Sequence, residues 1–146
     1  MIVRLLPENI VHNWDTIRYA AIQVNRLTAT DKIKEYCTGL LINLLSDKAQ
    51  CWFSISDDNQ IKAVAVTKII EDVGKVSYVF IEVVYGYGST TPEEKKDFFI
   101  HLNKFCENIK ADKVITWMTD DKVMRLAEGV GFREIARIYA HMGGHI

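Results

Sequence analysis

Between Lys75 and Lys110 a strand that is apolar on both faces, a glycine-bearing loop and a well-signalled helix follow one another (KVSYVFIEVVYGYGSTTPEEKKDFFIHLNKFCENIK), and this run dictates the architecture. Along the strand, Val76, Tyr78, Phe80 and Val84 are expected on one side and Val79, Ile81, Val83 and Tyr85 on the other. A strand apolar on both sides belongs in the middle of a sheet covered by helices. Thr91 and Glu94 have the spacing of a capping box, with Pro92 at the first helical position, where its missing N–H costs nothing. Phe98, Leu102, Phe105 and Ile109, widened by Phe99 and Cys106, form the helix's apolar stripe. Strand, Gly-x-Gly and helix N-terminus in succession are the usual place to hold a phosphate.

The rest of the chain supplies the cover for such a strand. Met1 to Leu6 reads as a first strand stopped by Pro7, followed by one helix to about Asn25 with Asn9 as its cap and Ile10, Trp14, Ile17, Ala21 and Val24 on one face. A loop from Arg26 to Thr30 leads to a second helix, in which Ile33, Cys37, Leu40, Leu41, Leu44 and Leu45 recur at helical spacing and Gly39 is a weak point. Cys51 to Ser56, the turn DDNQ, Ile61 to Ile70 and the turn EDVG then make an antiparallel meander that runs into the long strand. After the capped helix come a strand over Val114 to Thr119, a short helix opened by Asp120 or Asp121 and ended at Gly131, and a last strand over Arg133 to His141. No linker, repeat or low-complexity tract interrupts the chain, so residues 1–146 are read as one domain.

Charge and cysteine usage exclude several classes of function. The net charge is −1 and no basic cluster is dense enough to follow a phosphate backbone, so nucleic acid is not an expected partner. The three cysteines, Cys37, Cys51 and Cys106, are odd in number and widely spaced, as expected of small core residues in a reducing compartment. Glu8 comes too soon for a secretory signal, and the most apolar run, Val76 to Tyr85, is too short to span a bilayer. A soluble, cytoplasmic protein with no membrane partner is the expectation.

The order β-α-α-β-β-β-α-β-α-β implies an α/β mixed sheet with helices on both faces. Over nearly the whole chain it resembles the GNAT (Gcn5-related N-acetyltransferase) superfamily. The most specific match is LAEGVGFREIARIYAHM, residues 126–142, which looks like that family's closing helix, Gly-Phe corner (Gly131, Phe132) and final strand. The Trp in the first helix and the Trp-Phe of the second strand give it the look of the small GNAT-like proteins of tailed phages.

The resemblance implies acetyl-CoA binding where the fourth and fifth strands splay, with the pantetheine beside Ile81 to Tyr85 and the pyrophosphate on a Gln/Arg-x-x-Gly-x-Gly/Ala loop. The cofactor-binding candidates are therefore Val83, Gly86, Tyr87, Gly88, Ser89 and Thr90. Here the Gln/Arg position is Val83, and Ser89, Thr90 and Thr91 intervene before the helix. Thr91 and Glu94 would satisfy N–H groups that a diphosphate wants, and Glu93 and Glu94 oppose an anion at the helix start. For a lone Gly-x-Gly the blander reading, a turn needing positive φ, competes with a phosphate cradle. The family's general-acid tyrosine falls on Ala127, and its asparagine after the fifth strand on Thr119 or Asp120. Glu82, an acid on an otherwise apolar strand face, is the candidate base, against a reading as a solvated or arginine-paired residue near the strand's end.

Other constellations carry less. Trp14, Trp52 and Trp117 are expected in the core, as is Cys51. Tyr85 and Tyr87 are expected in a loop, exposed, where they suit a protein contact or a ligand shelf. His12 and His101 are expected to face solvent away from acids, and His141 with His145 to bind no metal. Two readings of function follow. In one, the damaged loop and missing tyrosine make this a non-catalytic GNAT-fold protein that works by binding a protein partner, as a virion or assembly component or a modulator of a host protein. In the other it is a small N-acetyltransferase with an amine acceptor. A homo-oligomer formed by edge pairing of Glu134 to Met142 is a further expectation.

Overall fold

The computed structural model describes residues 1–25, 30–88, 90–118, 121–141 and 143. In chain order the elements are β1 (Ile2–Arg4), α1 (Pro7–His12), α2 (Trp14–Asn25), α3 (Thr30–Leu45), β2 (Ala49–Ile55), β3 (Ile61–Glu71), β4 (Ser77–Gly86), α4 (Pro92–Asn108), β5 (Lys113–Thr116) and α5 (Asp121–Gly129). The strands form one mixed sheet in sequence order. β1 to β4 are antiparallel to their neighbours, while β5 runs parallel to β4, because α4 carries the chain back across the sheet.

Local chemistry explains the boundaries. The turn between β3 and β4 is closed by Asp72, whose carboxylate accepts from the N–H groups of Gly74 (2.8 Å) and Val76 (3.0 Å). The capping box of α4 is formed: Thr91 Oγ1 accepts from the Glu94 N–H at 3.1 Å, and Glu94 Oε2 accepts from the Thr91 N–H at 3.4 Å. The first helix departs from expectation. It begins at Pro7 with Leu6, not Asn9, in the cap position, since Pro fits the first turn. It also breaks at Asn13, whose Nδ2 donates to the Asn9 carbonyl at 2.8 Å and competes with the helical ladder. Helix α2 then restarts from the Asn13 carbonyl.

The sheet separates two cores. On one face Cys51, Phe53, Val64, Val66 and Val83 pack against Ile10, Ile17, Ala20 and Ala21 of α1 and α2 and Leu40 and Leu44 of α3. On the other, Trp52, Ala65, Val79 and Ile81 pack against Leu102, Phe105 and Cys106 of α4. A buried polar relay crosses β2 and β3: the Trp52 indole N–H donates to Thr67 Oγ1 (2.9 Å), and the Thr67 hydroxyl donates to Gln50 Oε1 (2.9 Å). Being partnered, these groups are held in the interior without a desolvation penalty left uncompensated.

Three expectations fail here. Strict alternation along β4 does not hold: Val66 pairs with Val83 but Thr67 with Ile81, so Glu82 is a bulge. Val79 and Ile81 therefore face α4, while Val83 and Tyr85 face α2 and α3. Trp117 is not core but 72% exposed, edge-on to Phe80 at 5.2 Å. Residues Arg133 to His141 form no strand; among the described residues none pairs with them, so a strand-like side-chain pattern has no ladder to join.

Candidate functional site

The site grows from the bulge. Pairing of β4 with β5 ends at Ile81 and Thr116, where the Thr116 hydroxyl donates to the Ile81 carbonyl at 2.9 Å. Beyond that point β4 continues to Gly86 with, among the described residues, β3 as its strand neighbour on one side only. The Tyr87 N–H donates to the Lys62 carbonyl at 2.9 Å. In an antiparallel ladder the sense alternates, so Tyr85 and Val83 also direct their main chain to β3, and Val84 and Gly86 direct theirs to the open side. We term this opening between the strands a cleft. Among the described residues the main chain of Val84 and Gly86 has no strand partner there, and such an edge suits an extended amide-bearing chain laid along β4.

Glu82 lies at the mouth of this cleft. Its side chain follows Phe80 onto the face of α2 and α3, where its Oε1 is 3.5 Å from Lys68 Nζ. The expected alternatives were solvent or an arginine; the partner is a lysine, itself over the Phe80 ring at 5.4 Å. Burial, and after it the Glu82 charge, push the Tyr36 hydroxyl up to about 12, and that hydroxyl accepts from Asn25 Nδ2 at 3.0 Å. Tyr36 therefore stays a neutral phenol beside the carboxylate through the physiological range. Sequence reading missed Tyr36, Asn25 and Lys68. Lys68 was signalled by a break in the apolar alternation of β3, and Tyr36 by a polar-tipped aromatic beside the apolar stripe of α3.

Tyr87 is exposed in the loop, as expected, but Tyr85 is not. Tyr85 lies in β4 and is half-buried, and both rings pack on Tyr19 of α2, at 5.8 and 6.4 Å between centroids. The Tyr87 hydroxyl donates to the Thr16 carbonyl at 3.0 Å. Hydrogen bonding to Tyr19 raises the Tyr85 hydroxyl, burial raises that of Tyr87, and the three rings form an aromatic wall fastening α2 to the end of β4.

Of the loop candidates, Val83 is buried and paired with Val66, leaving neither side chain nor main chain toward the cleft. Gly86 and Gly88 do not have positive φ, which removes the turn-constraint reading. A Cβ at Gly88 would meet nothing within 4 Å, so one side of the loop is open to an approaching group. Gly88 is exposed and Thr90 partly so, while Ser89 lies outside the described residues. At the helix start, Glu94 Oε1 is 3.0 Å from Lys62 Nζ, and that hydrogen bond holds its carboxyl below the usual carboxylate range. Glu94 is thus a fixed negative charge on the first turn of α4, and its own N–H is already taken by Thr91. Thr119 and Asp120 are outside the described residues, and Ala127 is buried at 3% exposure with no hydroxyl to offer. Cys51 is buried and its thiol is pushed up to about 12, as a core residue should be. His101 has Asp97 one turn before it, Nδ1 lying 2.8 Å from the Asp97 carbonyl and 3.5 Å from its carboxylate, contrary to the expectation of no acid nearby.

The whole chain, its five-stranded mixed sheet included, superposes on solved structures. The predicted acetyltransferase of Clostridium acetobutylicum, solved with acetyl-CoA, superposes with a TM-score of 0.73 at 14% identity, covering 97% of this chain and 94% of that one. The fold is that of the GNAT acetyltransferases. AAC(6')-Iy, in complex with the bisubstrate analogue CoA-S-monomethyl-acetylneamine, gives 0.71 at 14% identity over 99% of this chain and 98% of that one. An acetyltransferase of Trypanosoma brucei gives 0.67 at 14% identity over 97% of both chains. No family model matches the sequence, and no curated protein matches it. None of these three structures is described as a phage or virion protein, so that resemblance gains nothing from the GNAT fold.

Proposed function

We propose that this chain is an acetyl-CoA-dependent N-acetyltransferase with its cofactor cleft between β4 and β5. The observation that carries the reading is the parting of the two strands after Ile81 and Thr116, which leaves the main chain of Val84 and Gly86 unpaired beside a bulged carboxylate. Those groups suit the two amides of a pantetheine arm. The diphosphate would rest on the main chain of Gly86 to Thr90, on the side where Gly88 is open, and not on the first turn of α4. Bound there, acetyl-CoA supplies an activated acetyl thioester. Glu82 takes the proton that an ammonium acceptor must lose before its nitrogen can attack, while Tyr36, Asn25 and Lys68 hold the carboxylate's surroundings polar. Tyr19 and Tyr85 wall the same face. Two of the solved neighbours, the Clostridium enzyme and AAC(6')-Iy, support the cofactor class by the ligands they hold.

A second reading, a non-catalytic binding protein, is favoured by one feature: the Thr91–Glu94 box and its Lys62 clamp occupy the helix start with protein groups. Calorimetric titration with acetyl-CoA and CoA, followed by thiol release with a panel of amines, separates the two. Micromolar binding with amine-dependent thiol release is expected. Silence to millimolar ligand would overturn the acetyltransferase and leave the binding protein, whether of phage or host origin.

A further inference from the structure

We infer, resting on the acetyltransferase reading above, that Lys68 is a site of self-acetylation, its side-chain amine accepting an acetyl group from acetyl-CoA bound in the same chain. Lys68 of β3 is paired with Phe80 of β4, and its Nζ stands over the Phe80 ring at 5.4 Å and 3.5 Å from Glu82 Oε1. The amine therefore bridges the two neighbours of Ile81, the last residue of β4 that is paired with β5. Lys68 shares its side of β3 with Val64 and Val66, the side that α2 and α3 cover. Amine, carboxylate and the parting of the strands thus meet on one face. The task given to Glu82 is to take a proton from an ammonium, and the ammonium it already faces is that of Lys68.

Two further features suit Lys68 to the role. Its side chain is 38% exposed, so the amine is held by its partner yet reachable. Being part of the chain it needs no binding step, and an amine fixed beside its base reacts as though at very high concentration. In the transfer, Lys68 gives one proton to Glu82, and its nitrogen bonds to the acetyl carbonyl carbon as the carbon–sulfur bond breaks. A second proton from the nitrogen goes to the leaving sulfur, and Glu82 returns its own to water. The products are a neutral acetyl-lysine, a free thiol and a released proton, and the cation now paired with Glu82 is gone. Lys62 supplies the comparison. It is a lysine of similar exposure, 30%, bonded to Glu94 at 3.0 Å, but its partner lies at the start of α4 and not at the bulge.

The test incubates the full chain with acetyl-CoA and no added amine, and reads acetylation at every lysine by peptide mass spectrometry over time. Calorimetry with CoA, which has no acetyl to give, measures binding beside it without turnover. Lys68 should gain its acetyl on the order of 100-fold faster than Lys62 and the exposed lysines, and Glu82→Gln should slow Lys68 by a similar factor while the others keep their rates. The Lys68 rate constant should not change as the protein is diluted, and the intact mass of Lys68→Arg should lack the fast acetyl. Equal rates at all lysines, a Lys68 rate indifferent to Glu82→Gln, or a rate constant that falls on dilution would overturn self-acetylation. CoA binding and thiol release to added amines with Lys68 left bare would overturn it too, while the acetyltransferase stands. Absence of CoA binding would overturn both.

Discussion

Glu82 lies on the same face of β4 as Phe80, toward α2 and α3, where its carboxylate is 3.5 Å from Lys68 Nζ and its charge acts on the Tyr36 phenol. The bulge then brings Val83 onto that face as well. A base so placed acts on the acceptor and not on the cofactor. Glu82→Gln, nearly isosteric, should therefore lower kcat by about 100-fold to 10,000-fold while leaving acetyl-CoA affinity within about twofold, read by steady-state kinetics beside calorimetry. An unchanged kcat would remove Glu82 from the chemistry. Cys51 makes the opposite kind of statement. Its thiol, pushed up to about 12 by burial, stays protonated where an unfolded cysteine near 9 would ionise. The unfolded state thus binds fewer protons above pH 9, so stability is fully present below that pH and is lost between about 9 and 12. Cys51→Ser, which has no such ionisation, should flatten that part of the unfolding midpoint against pH. The identity of Glu82 as an oddity on an apolar strand was legible in the sequence, but its partners were not. They come from β3 and α3, and only the strand register and the packing of α3 bring them together.

The helix α4 was legible nearly to the residue, because its signals are local: Thr91, Pro92 and Glu94 each act within one turn. The break at Asn13 and the missing last strand were not legible. The first depends on a side chain competing with the ladder, and the second on a neighbour that a residue pattern cannot supply. The capping box gives this element a testable double role. Thr91→Ala removes the acceptor for the Glu94 N–H and should cost about 1 kcal/mol, measured by denaturant unfolding. It also frees that N–H at the helix start, so CoA binding should tighten in the same variant if the box competes with the diphosphate. Unchanged or weaker CoA binding would show that the phosphates never approach the first turn. The pH dependence of the clamp has a definite sign. Hydrogen bonding to Lys62 depresses Glu94 in the folded state, so its contribution is present above the ordinary carboxylate value of 4.5 and is lost as pH falls through the folded value. Lys62→Met should reduce that acid-side loss, leaving the smaller part that the Thr91 N–H supplies, as read from the unfolding midpoint against pH.

At the scale of the molecule, two cores of unequal depth brace one sheet, and the proposed cleft opens where the sheet stops being continuous. The fold could be read from the chain because it rests on periodicity and element order. The cleft could be read only as a resemblance, since its lining is main chain, which carries no sequence signature. This gives the loop a clean experiment. Gly88 is not at positive φ and a Cβ there meets nothing within 4 Å, so Gly88→Glu adds a charge without straining the backbone or displacing a neighbour. The ligand-free variant should unfold within about 0.5 kcal/mol of the parent, as surface substitutions do. In the parent, acetyl-CoA at a hundred times its Kd should stabilise by about 2.7 kcal/mol, seen as a rise in Tm. In Gly88→Glu the added carboxylate stands on the open side of the loop, where it repels a diphosphate, and the rise should vanish. If the parent shows the rise and the variant keeps it in full, acetyl-CoA binds elsewhere than the Gly86–Thr90 loop, and the cleft between β4 and β5 loses its assigned ligand.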